Sequence, residues 1–411
     1  MHSFAVLFLA FFTLSIVIKF WLSYRHLSHI QKHRARVPDA FDEKISLQDH
    51  QKAADYTTAK VKFGRWPLFY DAVITLAWLF AGGLEFLDQT ARSYQLAPIY
   101  TGMLVIFSLM IISAILDLPF SIYSTFIIEE KYGFNRTTLK TFVIDMVKGL
   151  LLSAALGIPL IWAVLWLMEQ AGDYWWLYTW VVLTLFTLFI TWAFPNWIAP
   201  IFNKFSPLEE GDTLNRIKEL LQRCGFNSDG IFVIDGSKRS SHGNAYFSGF
   251  GKNKRIVFYD TLLKSLSDDE LEAVLAHELG HFKRKHVLKG MLISFATTLA
   301  GLAVLSWLMK AEWFYSAFGI STPSTYMALL LFTIVTPAFT FLLSPLMSMF
   351  SRKNEFEADD YAAEQSEAQF LIQALVNMYK ENASTLTPDP LYSAFYDSHP
   401  PAPVRIAHLN K

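Results

Sequence analysis

Apolar residues in this chain fall into long unbroken runs, with the polar residues collected between them. A helix needs about 18 to 25 apolar residues to cross the hydrocarbon core of a bilayer. Seven runs reach that length, at 4–22, 67–87, 98–120, 149–168, 175–195, 290–309 and 326–350. Several end in aromatic clusters such as Trp175, Trp176 and Tyr178, residues that favour the membrane interface. Over 196–289 the pattern becomes that of a small soluble domain. There, 214–221 has helical spacing, 230–235 reads as a strand, and 244–248 and 255–259 read as a hairpin closed by Gly249-Phe250-Gly251-Lys252-Asn253-Lys254. Ser267, with Glu270 three residues later, forms a capping box that opens another helix. The expected fold is mainly α and integral to the membrane: seven transmembrane helices with a small α+β domain. It divides into a five-helix membrane domain (1–195), a polar segment (196–289), two further spans (290–350) and a C-terminal segment (351–411).

Loop charge gives the expected orientation. Segment 23–66 is rich in Lys and Arg, the next loop has only Arg92, and the one after carries Lys131, Arg136 and Lys140. Loop 169–174 has no basic residue, 196–289 is again basic, 310–325 has only Lys310, and Arg352 and Lys353 follow the last run. Basic loops stay in the cytoplasm, so the N-terminus is expected outside, with 196–289 and 351–411 together on the cytoplasmic side. Met1-His2-Ser3 supplies no basic stretch ahead of the first run, which therefore reads as a retained anchor, not a cleaved signal.

Composition agrees. The 411 residues are 53% hydrophobic and 17% charged, against about 25% charged in soluble domains, and mean hydropathy is +0.29. A formal net charge of −1 gives no footing for nucleic acid. The single cysteine, Cys224, excludes an intramolecular disulfide and a cysteine metal cluster, and reads as a helix C-terminal turn before Gly225. Asp71, Glu85, Asp117 and Asp145 would be costly in lipid and are expected to face a protein interior or a wet cavity. Lys19, near a helix end, is expected to snorkel.

The capped helix contains Ala276-His277-Glu278-Leu279-Gly280-His281. Residues four apart share a helical face, so His277 and His281 can offer two imidazoles to one ion, and Glu278 can serve as general base to a metal-activated water. One zinc per chain is the expected cofactor. His286 is off that face and reads as solvated among Lys283, Arg284 and Lys285. A carboxylate from a second helix commonly completes such a site. In 354–362, Glu355 and Asp359 are four apart, so Glu355 can ligate while Asp359 orients a ligand histidine. Glu357 lies about 200° around the helix from Glu355 and is the less favoured alternative.

At this point the sequence resembles the type I CAAX prenyl endopeptidases, the seven-span zinc proteases of the a-factor-converting and prelamin-processing type. The resemblance is carried by Glu130-Lys131-Tyr132-Gly133-Phe134-Asn135, Pro200-Ile201-Phe202-Asn203-Lys204-Phe205, Asn244-Ala245-Tyr246 with Gly249-Phe250, and Lys254-Arg255-Ile256-Val257. It continues through the His277–His281 motif, Glu355 to Asp359, and His399-Pro400-Pro401 followed by Arg405. It implies a ring of seven helices around a chamber, capped by a gluzincin-like zinc domain. Glu355 becomes the third ligand, with Asp359 behind the ligands. Asn244 and Ala245 fall on an edge strand that pairs with the substrate backbone, and His399 and Arg405 contact substrate or the oxyanion. The implied partners are membrane lipids and a peptide or protein C-terminus, lipidated or not. The short stretch 259–267 and the lack of a C-terminal dilysine signal point to a bacterial inner membrane, with the endoplasmic reticulum as the alternative for a eukaryotic chain. Two other readings stand beside this one: a general membrane-protein quality-control protease, and a transporter or lipid-binding protein with a vestigial metal site. The intact His277, Glu278, His281 and Glu355 set argues against the second.

Overall fold

The computed structural model describes residues 2–226, 228, 230–250 and 253–411. Its membrane part begins with α1 (Ser3–His33), α2 (Leu47–Phe80), α3 (Gly83–Ser93) and α4 (Pro98–Tyr123), the last continuing through a π turn at Ser124–Glu129. α5 (Leu139–Gln170) and α6 (Trp175–Ala193) follow. Among the described residues, six helices are long and apolar enough to cross a membrane, and the bent pair α2–α3 makes a seventh. The run at 67–87, expected to be one span, is broken. α2 and α3 meet at 56°, because Gly82 takes φ +79 and Gly83 packs so closely that a Cβ there would lie 2.7 Å from Trp78 Cε3. Glycine alone adopts and fits that turn without penalty.

The polar part starts with α7 (Ala199–Phe202), β1 (Phe205–Pro207), α8 (Asp212–Arg223), β2 (Ile231–Ile234), β3 (Ala245–Phe250), β4 (Asn253–Tyr259), α9 (Asp260–Ser265) and α10 (Asp268–Lys283). The expected hairpin is β3–β4, although Gly251 and Lys252 of its turn lie outside the described residues. The sheet order is β1-β2-β4-β3, with β2 and β4 parallel, so β3 is an edge strand. The chain returns through α11 (His286–Leu308), α12 (Glu312–Ser316) and α13 (Thr325–Thr340), then ends in α14 (Ser344–Gln365), α15 (Ala368–Glu381), α16 (Pro390–Tyr396) and α17 (Ala402–Leu409).

Buried apolar contact is unevenly distributed along the membrane helices. It gathers Ala5 and Phe8 from the start of α1, Leu165 and Met168 from the end of α5, Trp175 from the start of α6, Leu305 and Leu308 from the end of α11, and Tyr326 and Leu331 from the start of α13. All of these lie at the helix ends remote from the polar domain. There Tyr326 donates to buried Asp88 at 2.6 Å and packs on Gly102, where a Cβ would sit 2.7 Å from its ring. The helices thus converge at one end and part toward the other. Between them Asp71 and Asp117 line a small cavity, as expected of intramembrane acids. Glu85 instead bonds Ser321 across a loop, and Asp145 takes a two-pronged bond from Arg239 at 2.7 and 2.9 Å, tying α5 to the polar domain.

A second core unites α8 (Ile217, Leu220), β4 (Ile256, Phe258), α10 (Leu271, Leu275, Leu279), α15 (Leu371, Leu375) and Ile406 of α17. It seats α10 against the C-terminal helices. Arg25 of α1 pairs with Asp389 at 2.9 Å, and His26 stacks on Tyr392 at 4.0 Å. These contacts fix that C-terminal unit to the polar C-terminal extension of α1.

Candidate metal centre

α10 is started by Ser267, whose side chain and that of Glu270 form the expected reciprocal cap. Such caps typically contribute about 1 kcal/mol. Asn377 of α15 donates to the same Glu270 at 2.7 Å, so the cap also sets the helix against its neighbour. Toward its C-terminus α10 crosses α14 with backbones nearly touching: a Cβ at Gly280 would lie 2.9 Å from Ala358 Cα and 3.0 Å from its carbonyl oxygen. Fully buried Ala276, Ala358 and Ala362 line the same contact. Small residues at the crossing bring the side chains of the two helices within bonding reach of each other.

The crossing brings His277, His281 and Glu355 together. The two Nε2 atoms are 3.2 Å apart. Glu355 Oε1 is 3.3 Å from His281 Nε2, and Oε2 is 3.5 Å from His277 Nε2. Ligand atoms bonded to a tetrahedral ion at about 2.0–2.1 Å stand roughly 3.3 Å apart, so the spacing fits a metal. Tautomers agree with this. His277 Nδ1 is 2.8 Å from Asp359 Oδ1 and donates to it, so in the neutral ring Nε2 carries the lone pair. His281 Nδ1 is 3.0 Å from His286 Nδ1, and His286 Nε2 is 3.1 Å from Glu357 Oε2. One consistent assignment runs His281 to His286 to Glu357, each ring donating onward, which also frees the His281 Nε2 lone pair. Two bare nitrogen lone pairs then face each other beside Glu355 Oε2, which is buried without a hydrogen-bond partner. A cation resolves that arrangement.

Around the three ligand candidates, Glu278 is half-buried, and among the described residues its carboxylate has no hydrogen-bond or ion-pair partner. His399 lies on the open side, 66% exposed, with Nε2 3.4 Å from Glu355 Oε1. Arg405, expected to meet substrate, is only 8% exposed. Its Nε and Nη2 are both spent on Asp359, and Nη1 is 3.9 Å from Glu355 Oε2. Burial and then Arg405 push the His277 pKa down, but the Asp359 and Glu355 carboxylates beside its two ring nitrogens outweigh them and raise it. Asn244 is exposed at the head of β3. Its carbonyl accepts from Tyr259 at 2.9 Å, and the alternation of antiparallel bonds from there turns the backbone of Ala245 and Phe247 to the open edge, where the Ala245 N–H donates to Asn244 Oδ1 at 2.8 Å.

Two family models account for almost the whole chain. One, described as CAAX prenyl protease N-terminal, five membrane helices, matches residues 26–204; the other, peptidase family M48, matches 207–411. The chain is 34% identical to the CAAX prenyl protease 1 of Saccharomyces cerevisiae, covering 95% of this chain and 91% of that one. It is 33% identical to the CAAX prenyl protease 1 homolog of Dictyostelium discoideum, covering 100% and 98%. This chain belongs to peptidase family M48. This M48 peptidase also superposes on a crystal structure of S. mikatae Ste24p with a TM-score of 0.94 at 31% identity, each chain covered completely. It is a multi-pass membrane metalloprotease.

Two features of the M48 site escaped the sequence reading. His286, expected in solvent, is 6% exposed. Lys285 at φ +58 folds the chain back at the end of α10 and returns the ring to His281. Glu357, set aside as pointing elsewhere, does point away from the ligands, but it receives His286. The signal available was a third histidine beyond the motif and an acid on the opposite helix. The second feature is Gly280, whose lack of a side chain permits the crossing.

Proposed function

We propose that His277 Nε2, His281 Nε2 and Glu355 hold one zinc ion and that Glu278 is the general base of peptide hydrolysis, the substrate being a C-terminal CAAX segment whose cysteine carries a lipid. The observation that carries this reading is the convergence of the His277 and His281 Nε2 atoms on a buried carboxylate oxygen that has no hydrogen-bond partner. Zinc held there would supply an activated water and polarise the scissile carbonyl. Glu278, adjacent to the first ligand and without a partner among the described residues, is placed to take a proton from the attacking water and pass it to the leaving amine. His399, exposed beside Glu355, is positioned to donate a hydrogen bond to the developing oxyanion. Arg405 acts behind the ligands: it holds Asp359, which holds His277 in its tautomer. The open edge at Ala245 and Phe247, headed by Asn244, adds the substrate as a further strand, binding its main chain with little demand on side chains. The N-terminus lies outside and the metal centre faces the cytoplasm.

The test is metal analysis with activity. Chelation should abolish cleavage and zinc restore it. Purified Glu355→Ala protein should lose zinc, whereas Glu357→Ala should retain one equivalent; the reverse pattern would sink the ligand assignment.

A further inference from the structure

The cavity that reaches the metal centre carries a charge bias that the catalytic groups do not explain. It has a volume of about 920 Å3, with His399 and Asp397 on one wall and residues of α1 and α2 on the other. Lys19, Lys60 and Arg65 face it against one carboxylate, Asp397. Two of these cations are already engaged. Lys60 donates to Tyr56 at 3.3 Å and lies 3.9 Å from Glu129, and Lys19 sits 4.8 Å over the Phe341 ring. Among the described residues Arg65 has neither an acid nor a ring. Its Nε donates to Ser23 Oγ at 2.8 Å, which fixes the plane of the guanidinium, and its Nη2 is buried with no hydrogen-bond partner. Beside it, Gly64 leaves the wall bare, since a Cβ there would meet nothing within 4 Å.

We propose that Arg65 is the anchor for the free α-carboxylate at the substrate's C-terminus. The proposal rests on the reading above, that cleavage occurs near a C-terminus. A guanidinium offers two parallel donors to a carboxylate, and a partly desolvated, pre-oriented one gains most from that match. The alternative reader, Arg405, has two of its three nitrogens committed to Asp359. Three residues beyond a scissile bond reach at most about 10 Å, the scale of the cavity shared by His399 and Arg65. An internal peptide segment brings a neutral amide to this position and leaves the guanidinium unmatched, so the anchor favours chain ends.

The experiment uses a farnesylated peptide ending in Cys-Val-Ile-Met in three forms: free acid, C-terminal amide, and extended by a Gly/Ser run. They are assayed on the full-length wild type, Arg65→Met and Arg65→Lys, with zinc content measured for each. Wild type should lose about 10- to 100-fold in kcat/KM on amidation, mostly in KM, the worth of one hydrogen-bonded charge pair. Arg65→Met should show that same loss on the free acid and no further loss on amidation, with Arg65→Lys intermediate. In a Glu278→Gln background, Val-Ile-Met as acid and amide gives the same comparison as binding constants, independent of turnover. If Arg65→Met keeps the wild-type preference for the acid, or if wild type cuts acid and amide alike but spares the extended peptide, Arg65 is not the anchor and C-terminal cleavage stands. If wild type cuts the extended peptide as well as the free acid, the C-terminal reading itself fails, and the anchor with it.

Discussion

At the residue scale, each ligand histidine is held from behind by a different device. His277 leans on Asp359, which is fully buried and braced by Arg405. His281 leans on His286, braced by Glu357. Such partners hold the ring in place and keep the ligand lone pair on Nε2, and losing one typically costs about 10- to 100-fold in metal affinity. His286→Ala should therefore weaken zinc binding by roughly that factor, read by competition with a chromophoric chelator, while the fold by circular dichroism is unchanged. Unchanged affinity would make His286 a packing residue only. The ligands themselves were legible because i, i+4 spacing places His277 with His281, and Glu355 with Asp359, on single helix faces. His286 was not, because it follows a break in the helix: once Lys285 enters the left-handed region, the phase of α10 no longer says where the next side chain points. Arg405 was named from its motif, but burial against Asp359 is a tertiary fact with no local trace.

At the element scale, the site depends on how closely α10 and α14 cross. Gly280→Ala places a methyl carbon 2.9 Å from Ala358 Cα, and backbone cannot yield as a side-chain tip can. Overpacking of this kind costs about 1–3 kcal/mol. Because it parts the two helices, it should weaken zinc binding as well as lower the unfolding temperature. Loss of stability with zinc affinity intact would show that the ligands reach across independently of the crossing. The hairpin and the capped helix could be read from turn chemistry and capping residues. The β2–β4 parallel pairing and the short β1 could not, since they join segments with no local signal for each other. The helix ends lie beyond the apolar stretches: α1 and α2 both run well past them, and the polar extension of α1 contributes Arg25 and His26, which seat the C-terminal segment.

At the scale of the whole molecule, the helices converge at the end remote from the metal and part near it, which gives the site a cavity continuous with the membrane helices. This arrangement works only if α10 and α14 enter from the same side of the bilayer. The alternation of basic loops predicts that side to be the cytoplasm. Reporter fusions in 310–325 and at the C-terminus should then report opposite sides, and the same side for both would contradict the placement of seven spans. The family relationship is carried by nearly the full length of the chain, while the chemistry rests on a few side chains. Among these, Glu278 is the one with no hydrogen-bond or ion-pair partner among the described residues. Turnover of the farnesylated peptide by zinc-loaded Glu278→Gln protein tests the account most directly. The account predicts one zinc per chain and a rate lower by about 10²–10⁴-fold, the contribution of a general base; wild-type turnover with the zinc retained would contradict it.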